Sequence, residues 1–455
     1  MQHIFILDYV LLPLYLALFY WRVKKMARKP EAAELRKYLF IAFWLRMLGS
    51  VAYCMLIEYY YGYGDSFKFY DGSNFFTEQI SKNVRNISYL FASYKETADW
   101  YNSIVTYTRD SSGYFDLPSS NIIMRISAAL SYLSFNKFLI IALFFGFFSF
   151  AGQWKLFLVF DDINKHRHRK LLAFAVLYSP SIWFWGSGLL KDSLCLGSLG
   201  FIIYILYELF VKKRFSLFRL IQILVSLYML AIIKSYILAV VLVGFAVMFF
   251  SLVLKSIANR ILRFFVLGAT VIGIAALLNV IDFSPYINTM MEESITQIRK
   301  FQQSYQAVQE TDETSKAGFD LGEIDPSLPS LLAKSPQAIF TCLFRPFLWE
   351  SRKVIILFTS LESTLLLFCT LFVMLKLRFI HFFRLTFNTP HLLFCFVISM
   401  LFALIIGFTT FNFGTMIRYK IIFLPFYYFF LVNLYCKYLA SKKSISKVGG
   451  SNPIA

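Results

Sequence analysis

The stretch SPSIWFWGSGLLKDSL (179–194) sets Lys191 and Asp192 side by side in an otherwise apolar run. A charged side chain at a bilayer centre costs about 2.5–3.5 kcal/mol on insertion scales, so an adjacent pair there asks for a purpose. Other charges bracket apolar runs. Asp65 and Asp71 follow one (GYGDSFKFYDG), Arg345 and Glu350 precede one (LFRPFLWES), and Arg418 and Lys420 open one (NFGTMIRYKIIFLPF). A carboxylate at such a level can take the proton of an attacking hydroxyl. Cations there can hold a phosphate that leaves with growing charge, Arg through a planar fork and Lys as a point charge. The aromatic residues of YYYGYGDSFKFY and FLWE offer faces for sugar rings. This combination suits transfer of a sugar from a polyprenyl phosphate, whose headgroup lies at the membrane surface and whose tail lies between helices.

These residues need helices in a membrane to position them, and composition supplies that reading. The chain has 455 residues, 58% hydrophobic and 19% aromatic, with 53 Phe. Only 16% are charged, against about 25% in a soluble globule. The net charge of +19 sits mostly in short loops between apolar runs, as expected of cytoplasmic loops. That placement argues against nucleic acid as a partner. The six Cys are scattered without zinc-site spacing and read as small buried hydrophobes; no metal and no cofactor is expected. Residues 3–22 read as a first span rather than an export signal, because WRVKKMARK follows them.

Spans are expected near 3–22, 38–61, 137–160, 171–187, 193–211, 216–233, 235–254, 264–281, 354–375, 391–411 and 420–438. The fold class is therefore all-α: a polytopic transmembrane bundle of about eleven helices in one integral membrane domain. The basic loops 21–37, 161–170, 211–215, 255–263, 376–384 and 437–447 all fall on one side, assigned to the cytoplasm. Two long extracytoplasmic loops, 62–136 and 282–353, carry most of the acidic residues, and 439–455 is expected to be a flexible cytoplasmic tail. Residues 121–135 have the spacing of a helix lying along the interface. Residues 171–211 would make a helix of about 60 Å, twice the hydrocarbon thickness. They must be two helices, with the turn at the breakers Ser179-Pro180-Ser181 and Gly186-Ser187-Gly188. Lys191 and Asp192 then lie at the outer mouth of a hairpin, near water, with Asp192 favoured by a helix N-terminus. Arg46, Glu58, Lys234 and Glu362 fall within spans; Glu58 and Glu362 fit the outer mouth, whereas Arg46 and Lys234 have no assigned role.

The motifs GYGDSFKFY after a span, SPSIWFWGSGLLKDSL on a hairpin, LFRPFLWES before a span and NFGTMIRYKIIFLP at the last span resemble those of GT-C-type membrane glycosyltransferases and related bacterial polysaccharide-assembly proteins. The resemblance implies a lipid-phosphate sugar donor, a glycan or lipid-linked acceptor, and a place in the bacterial inner membrane. It implies Asp65 as catalytic base, with Asp71 second, and Arg418, Lys191 and Arg345 on the donor phosphate. Asp192 is the rival base, and Glu350 and Lys420 complete the candidate substrate-binding set. The acidic loop follows the second span rather than the first and lacks an adjacent acidic pair, which departs from the family's pattern. Two alternatives stand beside a transferase: a surface-polysaccharide polymerase or ligase, with Arg299 and Lys300 on the lipid-linked chain, and a transporter or flippase.

Overall fold

The computed structural model describes residues 2–28, 30–105, 112–259, 328–351 and 354–448, and single positions 261, 263, 265, 319, 321 and 322. It is 85% helical and, among the described residues, has no strands. Among the described residues, seven helices are long and apolar enough to cross a membrane: Ile6–Ala27, Ala33–Tyr61, Phe138–Ile163, Lys191–Phe210, Leu217–Ser256, Ile356–Leu377 and Pro390–Thr409. An eighth forms if the pair Phe413–Lys420 and Leu424–Lys442, bent by 62°, is one span. The chain is a multi-pass membrane protein by these features. It divides into two compact units, Met1–Leu238 and Ala239–Ala455.

In the first unit, α1 (Ile6–Ala27), α2 (Arg36–Leu56) and α7 (Phe138–Ile163) pack side by side. Between α2 and α7 the chain folds a helical cap: α3 (Asp65–Lys82), α4 (Tyr94–Ile104), α5 (Ser112–Phe115) and α6 (Pro118–Ser134). The cap replaces the open loop expected at 62–136. The 121–135 segment does form a helix, but its small face (Ser120, Ser127, Ala128, Ser131) is buried, and α6 lies against α3. Arg125 ties α6 to the start of α4 by donating to the carbonyls of Ala92 and Ser93. Burial lowers its pKa below the usual arginine value.

The expected span at 171–187 is broken. It forms α8 (Arg169–Leu177) and α9 (Pro180–Trp185), interrupted at Ser179-Pro180, where proline lacks the donor a continuous helix needs. The two nevertheless climb alongside α7. Gln153 donates to the carbonyl of Val176, Ser149 and the carbonyl of Ile182 share Arg46, and Gly146 backs onto Ser187. Between Asp161, which pairs with Arg169, and Gly146, α7 rises about 22 Å. The chain then turns through 186–190 into α10 (Lys191–Phe210), which descends against α7. Small residues set that contact: a Cβ on Gly152 would strike the carbonyl of Gly197, and one on Gly200 the carbonyl of Gly152. Close backbone approach through small residues is how helices associate where lipid offers no hydrophobic gain. The basic loops 21–37, 161–170 and 211–215 meet at one end, where Arg169 bridges Glu34 and Asp161 and Lys212 reaches Asp162.

Helix α11 (Leu217–Ser256) covers the two spans expected at 216–254, and Lys234 breaks it with non-helical torsions (φ −151°, ψ 79°). The expected span at 264–281 lies, except for position 265, outside the described residues, as do Arg299 and Lys300. The second unit continues with α12 (Leu328–Phe344), α13 (Val354–Leu377), α14 (Phe379–Asn388), α15 (Pro390–Thr409), α16 (Phe413–Lys420) and α17 (Leu424–Val448). Helix α12 packs on α15, where Gly407 backs onto the carbonyl of Ala338. Helix α17 runs past the expected end at 438 to Val448, so the start of the expected flexible tail is helical.

The α7–α10 seam yields a direct expectation. Gly152→Val should destabilise the protein by about 1–3 kcal/mol or more through overpacking against the Gly197 backbone. Thermal unfolding in detergent reads it, and a Gly152→Val protein as stable as wild type would contradict the packing.

Candidate functional site

The candidate residues of the first unit gather at the end opposite the basic loops. Helix α2 ends in a π turn, Ile57–Tyr61, and two glycines then redirect the chain: Gly62 at φ +69° and Gly64 at φ +152°, torsions that side chains rarely adopt. Asp65 opens α3 immediately after, where unpaired backbone N–H groups favour a carboxylate. Tyr114 of α5 donates to Asp65 Oδ1 at 2.8 Å. The next residue, Ser66, is buried and donates to the carbonyl of Leu189 at 2.9 Å. That bond fixes the first turn of α3 beside the loop that delivers Lys191.

Lys191 is half-buried. Its ammonium donates to Ser119 and Ser120 Oγ, each at 2.9 Å, and lies 5.7 Å from the centroid of the Phe69 ring. Phe69 stands one turn along α3 from Asp65 and meets Tyr114 edge-on at 5.8 Å. Asp65, Tyr114, Phe69, Lys191, Ser119 and Ser120 are therefore one cluster: a carboxylate and an ammonium arranged around an aromatic ring.

Helix α10 does begin at Lys191, with Asp192 in its first turn. The surroundings differ from the expected wet mouth. Asp192 is fully buried, and its counter-ion is Lys234, whose Nζ lies 2.5 Å from Asp192 Oδ1. A counter-ion, not water, offsets the buried charge, and Lys234 has its explanation at the α11 break. Arg46 is likewise accounted for. It is buried and donates to Ser149 Oγ (3.2 Å) and to the carbonyl of Ile182 (3.0 Å), holding α9 in place.

Asp71 lies apart from this cluster. Six residues along α3 it is turned away from Asp65 and exposed, with His3 Nε2 3.4 Å from its Oδ1. Glu58 belongs to the same group, accepting from the backbone N–H of His3 at 2.9 Å and facing His3 Nδ1 at 3.5 Å.

In the second unit Arg345, Glu350 and Lys420 come together. Arg345 forks onto Glu350, with Nε 2.9 Å and 3.2 Å from the two carboxylate oxygens and Nη2 also bonded. Glu350 accepts as well from the backbone N–H of Phe347 at 2.8 Å. Lys420 is buried and donates to the carbonyl of Arg345 (2.7 Å) and to Ser363 Oγ (3.0 Å). This group ties α12, α13 and α16 to one another. Arg418 is half-buried, 5.5 Å from the Tyr419 ring, and Glu362 accepts from Tyr428 Oη at 2.6 Å. Among the described residues no three of His, Cys, Asp and Glu are placed to hold a metal ion.

Sequence reasoning did not find Tyr114, Ser119, Ser120 or the partners of Lys234 and Asp71. Ser119 and Ser120 follow Pro118 in a helix-start pattern, but nothing in that pattern names a lysine 72 residues on as their partner. Comparison of the chain with family models, with curated proteins and with solved structures returned no match.

The buried ion pair can be tested by charge removal. Lys234→Met leaves Asp192 uncompensated and should cost about 3–5 kcal/mol, while Asp192→Asn combined with Lys234→Met should recover most of it. Unfolding midpoints of the two variants check this. A Lys234→Met protein of wild-type stability would show that the pair does not form.

Proposed function

We propose that the protein is a membrane glycosyltransferase that moves a sugar from a polyprenyl-phosphate-type donor to an acceptor at the extracytoplasmic face of a bacterial inner membrane. The observation that carries the reading is the cluster around Phe69. It sets the Asp65 carboxylate and the Lys191 ammonium at one end of a helix bundle, opposite the basic loops. In the proposed reaction the acceptor hydroxyl attacks the anomeric carbon, Asp65 takes the hydroxyl proton, and the bond from that carbon to the phosphate oxygen breaks. Lys191 offsets the charge gathering on the departing lipid phosphate, which keeps the electron pair. Tyr114 offers a ring face to the sugar, and the buried Phe69 ring backs Lys191. In the second unit Arg345, Glu350 and Lys420 engage one another as struts.

The reading includes about eleven spans with the basic loops in the cytoplasm. A reporter active only outside should work when fused after Pro118 and be silent after Lys170. The reverse pattern would place the Asp65 cluster on the wrong side for this chemistry.

Loss of a general base lowers rate by roughly 10²–10⁴-fold. Asp65→Asn should show a loss of that size with donor binding nearly unchanged, since the carboxylate moves a proton and does not hold the phosphate. Turnover of a radiolabelled lipid-phosphate sugar by vesicles checks it; full activity of Asp65→Asn would sink the mechanism. A polymerase or ligase acting on lipid-linked oligosaccharides would share this chemistry. One observation favours a transporter instead: the buried Asp192–Lys234 pair at a break in a span, where coupling sites of carriers are built. On that reading Asp192→Asn abolishes flux and Asp65→Asn spares it.

A further inference from the structure

A second polar groove lies on the cap of the first unit, away from the Phe69 cluster. It has a volume of about 560 Å³, within the range of about 300–1,000 Å³ typical of small-molecule clefts. One wall is a stripe of α3, Asn74, Thr77, Glu78 and Ser81, spaced three and four residues apart so that they share a helix face. The other wall is the end of α6, with Ser131, Tyr132, Phe135 and Asn136.

The lining is neutral and offers hydrogen bonds of both senses: the Asn74 and Asn136 amides and the Tyr132 hydroxyl can donate. Thr77, Ser81 and Ser131 each give their hydroxyl hydrogen to a backbone carbonyl of their own helix, at 3.0, 2.8 and 2.9 Å. Their remaining capacity is as acceptors. The groove thus suits a ligand that both gives and accepts hydrogen bonds.

Charge and shape narrow the class. Glu78, the acid in the lining, is paired with Lys82 at 2.6 Å, and the lining contains no cation. A phosphate finds no counter-charge there, and a free ammonium finds no net negative charge. The Tyr132 and Phe135 rings at the rim are 55% and 66% exposed. Phe135 and Asn136 both adopt left-handed torsions (φ 53°), which a bulky aromatic residue rarely does and which mark functional sites when retained. Neutral donors and acceptors below exposed aromatic rings suit the hydroxyls and the C–H faces of a saccharide.

We infer that this α3–α6 groove is a binding site for a neutral saccharide. That the bound saccharide is the acceptor of the transfer reaction rests on the function proposed above; that it binds does not.

The test uses the full chain in lipid nanodiscs with maltotetraose, cellotetraose and chitotetraose, and with choline chloride and inorganic phosphate as contrasts. Saturation-transfer NMR and titration read binding. At least one tetrasaccharide should bind at millimolar concentration, and neither contrast should. Asn74→Ala and Tyr132→Ala, both at helical positions that accept alanine, should each weaken binding about five- to tenfold. Asp65→Asn should bind as the wild type does, so loss of the catalytic reading leaves this result standing. Binding of no tetrasaccharide, of choline instead, or with equal strength by both alanine variants would overturn the assignment and leave the groove to water.

Discussion

A backbone carbonyl inside a membrane must find a donor within the protein, and residues 182–190 meet that demand without being a continuous helix. Arg46 serves the carbonyl of Ile182, Ser50 that of Ser187, Ser193 that of Gly188, and Ser66 that of Leu189. Three of these donors come from α2 and α3. The irregular turn therefore exists only because the second span and the cap are docked against it. In return it fixes where α10 begins. Lys191 and Asp192 occupy their positions because Ser187, Gly188 and Leu189, just before them, have their carbonyls held by side chains.

The two charges of the KDS motif then part company. Lys191 turns to the cap, between Ser119, Ser120 and the Phe69 ring, while Asp192 turns inward to Lys234. A buried ion pair adds little net stability but is costly to break on one side only. That asymmetry suits a device for locking register: the pair holds the break in α11 against the first turn of α10, and so holds Lys191 level with Asp65. Asp65 itself is set by sequence-local means, through two glycines that turn the chain and a helix N-terminus that accepts its charge.

Much of this was legible from sequence, for identifiable reasons. The arithmetic of length against bilayer thickness required a turn before Lys191, and α10 begins there. The angular step of a helix separates Asp71 from Asp65, and the structure finds Asp71 beside His3 instead. The clustering of Lys and Arg in short loops predicted a common end for residues 21–37, 161–170 and 211–215, and Glu34, Asp161, Asp162 and their cations meet there. What sequence did not reveal were pairings without period. Lys234 and Asp192 lie 42 residues apart and Tyr114 and Asp65 lie 49 apart, with no spacing rule to join them. The break within 171–187 was signalled by the Ser179-Pro180-Ser181 breakers, but the groups that sustain it were not. Hydropathy registers the apolar run, whereas the break at Pro180 survives because Gln153 and Arg46, from other helices, take the freed carbonyls.

The central claim is that the Phe69 cluster receives a lipid phosphate bearing a sugar. The most direct measurement is photo-crosslinking of the intact protein in vesicles, with a polyprenyl-phosphate sugar carrying a diazirine on the isoprene nearest the phosphate, followed by peptide mapping. The account predicts labelling within 65–69, 114–120 and 189–194, competed by unlabelled donor and lost in Lys191→Ala. Labelling confined to other segments, or undiminished in Lys191→Ala, would contradict it.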